Sequence, residues 1–329
     1  MTQTTYGAIG QRTAAWAATE MLSHAEPMKV LCKYGQSKPL PKNTANVAKF
    51  RRPVPFTVST VPAQEGVTPT PRVMQYEDVQ ATMQQYIGVT EITDKVTNLS
   101  EDPVLSDATE LSGEEAGETV EMVTYNAVKA GTSVSYANGS ARTDVNTVIT
   151  VAKQRAVTRL LKANRAKKIS QRLSGSQNYA TFPVDAAFFA FGHTDIESDL
   201  RNLSGFTPVE SYGSMKSEPY EVGKLEDVRY ILAPHFDSWA DGGGTAGSMK
   251  STTGASADVY PVLYLGKEAF GCVPLKGAGA IKPMVLNPET PSKSDPAGQK
   301  GFVSWKAWYT ALILNQTWLS RLEIAVTDL

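Results

Sequence analysis

The sequence predicts an α+β chain on three observations: a long alternating ribbon near the start, one long helix after it, and a strand-rich second half that closes on an aromatic segment. The ribbon begins at "KFRRPVPFTVSTVPAQEGVTPTPR" (49–72), where Phe50, Val54, Phe56 and Val58 fall on even positions and so share one face. Pro53 and Pro55 both fall on odd positions, so their missing N–H groups point the same way, as on an edge strand. From Val73 to Val89 a second run places Val73, Val79, Ala81, Met83, Ile87 and Val89 on odd positions, and the two runs read as a two-stranded arm. Strands of that length reach roughly 40 Å at about 3.3 Å per residue. An isolated ribbon is marginal in water, so either another part of the chain or another copy must cover it.

The helix follows. In "SEDPVLSDATELSGEEAGETVEMVTYNAVKAG" Asp102 suits a cap, Pro103 a first turn, and Gly131 a stop. Asp107, Glu110, Glu114, Glu118 and Glu121 recur at helical spacing without a basic residue between Glu101 and Glu121, which reads as a solvated face or as a docking surface for a basic partner. The run "VAKQRAVTRLLKANRAKKISQR" (151–172) has Lys and Arg but no acid, with partial helical periodicity. Arg155, Arg159, Lys162 and Arg165 on it read as an exposed basic helix, as a contact to the acidic run of another copy, or as a phosphate-facing surface; no aromatic interleaving or nucleic-acid motif accompanies them.

Next come a buried strand, turn and helix start in "FPVDAAFFAFGHTDIESDL" (182–200), then strands in "VRYILAPHF" (228–236) and "DVYPVLYLGKEAFGCVPL" (258–275). The Gly/Ser/Thr-rich stretch 241–257 between them reads as a flexible surface loop. "GFVSWKAWYTALILNQTWLSRLEIAV" closes the chain as β structure.

Composition narrows the function classes. With 329 residues, 41% hydrophobic and 20% charged, the chain can bury a full core, and a net charge of −1 argues against a surface that attracts nucleic acid or membrane as a whole. Cys32 and Cys272 lie far apart in sequence, without CxxC or Cys/His spacing, so neither a disulfide framework nor zinc is expected. Neither a signal sequence nor an apolar run of about 18 residues appears, so secretion and membrane insertion are not expected. His24, His193 and His235 have no paired spacing, and GxSxG and GxxxxGK are absent. Asp195, Glu197 and Asp199 alternate along a helix start, where acids are expected without a metal. Met74 and Met83 read as packing residues. No residue is singled out as catalytic, cofactor-binding or metal-binding.

The order of elements, with "KFRR" opening the arm (Lys49 to Arg52), "EGVTP" at its tip (Glu65 to Pro69), "QYIGVTEITD" (Gln85 to Asp94), "GTSVSYANG" (Gly131 to Gly139), "VGKLEDVRYILAP" (Val222 to Pro234) and "LSRLEI" (Leu319 to Ile324), resembles the major capsid proteins of tailed double-stranded-DNA phages, the Hong Kong 97-type fold, over nearly the whole chain. The resemblance implies an N-arm at 1–46, an extended hairpin loop at 47–93, a peripheral domain with a spine helix at 94–180, an axial domain at 181–300, and a C-terminal strand, 301–329, rejoining the peripheral domain. It implies a non-enzymatic subunit that assembles as hexamers and pentamers into the icosahedral shell of a virion, formed in the bacterial host cytoplasm and packed with double-stranded DNA without sequence specificity. A portal is the further partner it implies, with scaffolding or decoration proteins as optional ones; no cofactor and no membrane are implied. Phe50, Arg51, Arg52, Val54, Phe56 and Glu65 would make the inter-subunit contact. Because the chain starts almost directly with the arm, a separate scaffold or none is expected. The competing readings are an encapsulin-like nanocompartment shell around cargo protein and an enzyme with an unrecognised site.

Overall fold

The computed structural model describes Met21 and residues 29–43, 46–58, 60–62, 64–68, 70–99, 103–173, 181–213, 216–276, 281–288 and 295–329. The proposed cap Asp102 and His24 lie outside them.

The ribbon is paired only at its root. Strand β2 (Val47–Pro53) runs antiparallel to β3 (Tyr76–Thr82), in register from Val47↔Thr82 to Pro53↔Tyr76, while β1 is a two-residue strand, Gln36–Ser37. Past the first proline one further bond, Val54 N to Gln75 O at 2.9 Å, continues the ladder. The tip then opens and turns at Glu65–Gly66, where Gly66 takes φ +79°. The return run is not one strand either. It breaks at Met83, whose N–H bonds Asn46 O at 2.7 Å, and resumes as β4 (Gln84–Thr93), which leaves the ribbon for another sheet. A buried Met83 at that break, packed with Ala48, Phe50, Val273 and Leu312, fits the packing role expected of it, whereas Met74 is exposed.

That other sheet has five strands: β1, β12 (Phe270–Pro274), β14 (Lys300–Ile313), β13 (Lys282–Leu286) and β4. Alternation on β14 sends Val303, Trp305, Ala307 and Tyr309 to one face, and the long helix (Val104–Lys129) covers it. This helix presents a narrow stripe of Ser112, Gly113, Ala116, Gly117, Val120, Thr124 and Val128, small enough to lie close against strands. Gly88 on β4 is required here, because a Cβ would stand 2.3 Å from Trp305 Nε1, and that indole N–H donates to Glu115 Oε2 at 3.0 Å. The helix opens at Pro103 and ends at Ala130, one residue before the expected stop at Gly131; a short helix, Asp94–Leu99, precedes it.

The eight-stranded sheet follows the order β5 (Val134–Tyr136), β15 (Leu319–Ile324), β11 (Tyr260–Leu265), β7 (Thr181–Gly192), β10 (Val228–Leu232), β9 (Glu221–Leu225) and β8 (Thr207–Pro208), with β6 (Ile169–Leu173) on β7. It is covered on both sides, which is why β10 and β11 read as continuous apolar runs. Phe188 and Ala190 of β7 join a core with Val157 and Leu161 of the helix Val151–Ala163. Phe189 and Phe191 face the other way, into a core with Val120, Tyr125 and Val128 of the long helix and Leu31 and Tyr34 of the N-terminal segment.

Two expectations change, and the two cysteines are brought together. The closing segment is two strands in two sheets, β14 and β15, and 181–300 supplies strands to both sheets. Stretch 241–257 is tied down: Ala246 and Ala257 are buried, and the Asp258 carboxylate accepts Asp241 N at 2.7 Å and Thr252 N at 3.1 Å. The cysteines, distant in sequence, share one core as free thiols, with Cys32 Sγ 3.1 Å from Thr124 Oγ1 and 3.5 Å from Tyr309 Oη.

Candidate intersubunit interface

The arm residues expected to touch a neighbour divide into a root and a tip. Phe50 is a correction: it is 8% exposed, on the chain's own Val273 and Leu312, because the even face of β2 stands over β12 and β14. Arg51 and Arg52 staple the ribbon across its register, to Asp78 at 2.7 and 2.9 Å and to Glu77 at 2.9 and 2.6 Å. The Arg51 hydrogen bond holds the Asp78 carboxyl below the usual range, yet both ion pairs are exposed and add little to stability.

Beyond Pro53 the same parity stays exposed among the described residues. Val54 and Phe56 are 41% and 52% exposed, and Val58, Val61, Val67 and Val73 are exposed further. The two sides of the tip bow apart around an open hollow of about 670 Å³ lined by Val54, Phe56, Val58, Val61 and Val73, and Arg72 bridges it to Thr57 O at 2.6 Å. Glu65 marks the exposed far end.

A second apolar surface lies on the five-stranded sheet, on the face opposite the long helix. Register aligns Val89 with Ser304 and Met284, Ile87 with Lys306, and Glu91 with Phe302 and Leu286. Ile87, Val89, Met284 and Leu286 are exposed, and Phe302 and Trp308 only half-buried.

The charged runs are largely exposed faces, as their spacing suggests, but the basic one finds acidic partners within its own chain and the acidic one loses Glu121 to the interior. Arg155 pairs with Glu226 at 2.6 Å, and Lys162 and Lys168 reach Asp227 at 2.5 and 2.9 Å, so the turn between β9 and β10 neutralises much of the basic helix within the chain. Those lysine hydrogen bonds hold the Asp227 carboxyl low. Arg159 and Arg165 are exposed, and Arg165 stands outside the helix at φ +56°. On the long helix Asp107, Glu110 and Glu118 are exposed and Glu114 half-buried, but Glu121 leaves the stripe: its side chain is wholly buried under the N-terminal segment.

The residues weighed for chemistry are structural in placement. Asp195 Oδ2 accepts Lys250 Nζ at 2.6 Å and Tyr260 Oη at 2.8 Å; burial raises its pKa, but these bonds and His193 outweigh it and leave the carboxyl low. His193 caps the following turn through Asp195 N at 3.1 Å, Glu197 pairs with Arg201, and Asp199 accepts Thr327 N and Oγ1. Among the described residues no group of three or more His, Cys, Asp or Glu is placed to hold a metal, and no helix is long and apolar enough to cross a membrane.

Two buried ion clusters had no signal in the sequence. Arg229, 2% exposed, makes a two-pronged pair with Glu221, at 2.7 and 2.5 Å. Glu323 accepts Arg142 and Arg321, and the Arg142 guanidinium stacks 3.5 Å from the Trp239 ring. The first spans the β9–β10 hairpin and the second ties Arg142 to β15, 181 positions away, so neither shows as a motif in the sequence.

With two apolar surfaces exposed among the described residues of an α+β frame, comparison with known proteins gives the class. Residues 76–319 match the phage capsid protein family, and the chain belongs to that family, a structural class. The major capsid protein of Pseudomonas phage KPP21 is 21% identical over 175 residues, 49% of this chain and 44% of the relative; the match thus spans less than half of that relative's length. The fold is similar to the capsid of Ralstonia phage GP4, with a TM-score of 0.66 at 9% identity over 90% of this chain and 88% of that one. It is also similar to the Cyanophage Pam1 capsid asymmetric unit, at 0.60 and 13% over 93% of both chains. The α+β fold expected from the sequence is the fold of these capsids.

Proposed function

We propose that the chain is the major capsid subunit of a tailed phage, assembling as hexamers and pentamers into an icosahedral shell around double-stranded DNA. One observation carries this reading: among the described residues, an arm with an exposed apolar tip projects from a subunit that also has an exposed apolar sheet face. Two different surfaces on one chain that complement each other make a head-to-tail contact between copies, which closes into rings where the rotation allows. In this proposal the tip, Val54 and Phe56 foremost, lies on the Ile87–Val89–Leu286 face of a neighbour. The proposed domain plan is an N-arm (1–46), extended loop (47–93), peripheral domain (94–180), axial domain (181–300) and a C-terminal segment (301–329) that returns as two strands, one to each sheet. A portal, scaffolding or decoration proteins, and assembly in a bacterial cytoplasm belong to the same proposal. Of Arg155, Arg159, Lys162 and Arg165, Arg159 and Arg165 have no ion pair among the described residues and are the two proposed for phosphate contact.

The test is expression of the full chain, alone and with its phage's head proteins, followed by sedimentation and negative-stain imaging. Closed particles are expected from the unaltered chain. Phe56→Asp on the tip and Val89→Asp on the sheet face should each abolish particles while circular dichroism stays unchanged, since each would place a charge in a desolvated contact. A concentrated chain that stays monomeric beside its head proteins, or normal particle yield from both variants, would overturn the reading.

A further inference from the structure

Glu121 is the one long-helix acid that turns inward, and it meets the N-terminal segment there. Its side chain is 0% exposed. Its carboxylate accepts the backbone N–H of Leu31 and, at 3.2 Å, that of Cys32, both in the turn Leu31–Lys33. No Lys, Arg or His among the described residues forms an ion pair with it. Facing the turn are the Cys32 thiol, Cys272 on β12 and the Tyr309 phenol on β14. The Arg172–Glu218 pair reaches the segment through Tyr34 Oη, 3.2 Å from Glu218 Oε2. A buried carboxyl without a countercharge is held far more easily neutral than ionised.

The segment that Glu121 holds leads to the arm. After the turn it adds β1 to β12, and Lys38 Nζ then bonds Lys49 O at 3.2 Å and lies 5.2 Å from the Phe50 ring, while Leu40 packs beside Phe50. We propose that Glu121 is a proton-operated latch: neutral, it keeps residues 30–40 docked on the long helix, and ionised, it loosens that segment and with it the root of the arm. The latch is a property of the single subunit and does not depend on shell formation.

Burial pushes the Glu121 carboxyl up, the Cys32 thiol adds to this, and the two backbone N–H bonds oppose it. Since the docked value stands above the free value of about 4.3, docking is strongest in acid and is lost as pH rises from there through the docked value. Over that window the equilibrium for opening the segment should rise up to about tenfold per pH unit.

The experiment is hydrogen–deuterium exchange on the full chain from pH 4 to 8, with rates divided by the intrinsic exchange rate at each pH. Exchange of residues 29–40 should rise along that slope while strand β11 stays level. E121Q should flatten the slope, and E118Q, on the exposed stripe, should keep it. A level profile for residues 29–40, an equal rise in β11, or an undiminished slope in E121Q would each overturn the latch. Should E121Q fail to fold, the contrast between residues 29–40 and β11 in the unaltered and E118Q chains decides.

Discussion

Phe50 and Phe56 have the same side chain and the same strand parity, yet truncating them should break different things. Phe50 is 8% exposed, on Ala48, Met83, Val273 and Leu312, and its ring lies 3.3 Å from where a Cβ on Gly271 would stand. Removing a buried Phe ring costs about 3–5 kcal/mol, and this small cluster beside solvent can partly collapse, which points to the lower end, about 3 kcal/mol. An unfolding entropy of about 2.1 cal/mol/K per residue over 329 residues makes each kcal/mol worth roughly 1.4 °C of thermal midpoint, so Phe50→Ala should lower it by about 4 °C. Phe56 is 52% exposed, and its truncation should change subunit stability by less than about 0.5 kcal/mol, under about 1 °C. In a shell the order reverses, because each copy of Phe56→Ala forgoes up to about 1.5–3 kcal/mol of ring burial against a neighbour. Calorimetry on soluble subunits, beside particle counts by light scattering, separates the two. A Phe56→Ala midpoint as low as that of Phe50→Ala would refute the division into root and tip, and so would a Phe50→Ala subunit as stable as the unaltered one.

Two further outcomes follow from the charged groups. Arg229→Ala would leave Glu221 buried without its cation, and should destabilise the subunit by about 3–5 kcal/mol in chemical denaturation. Arg155→Gln and Lys162→Gln break exposed pairs with Glu226 and Asp227, so each should cost under about 1 kcal/mol, with the loss shrinking as salt is added in the same denaturation series.

The alternation of Phe50, Val54 and Phe56, the helical run after Pro103 and the apolar strands 228–232 and 260–265 are local signals, and they determined the α+β class and the order of its elements. The candidate interface was legible to the same depth: period two says which side chains share a face. It does not say what covers that face, since cover comes from residues hundreds of positions away. Tertiary structure therefore decided that Phe50 sits on Val273 and Leu312 while Phe56 stays half-exposed, and that the return run changes sheets at Met83. It also decided that the basic helix answers Glu226 and Asp227 of its own chain. Glu121 shows the limit most plainly: it shares helical spacing with Glu114 and Glu118, but the stripe curves under the N-terminal segment, and the carboxyl that should have faced water lies instead against the N–H groups of Leu31 and Cys32. A face is a local property of the chain, whereas burial depends on what folding brings against it.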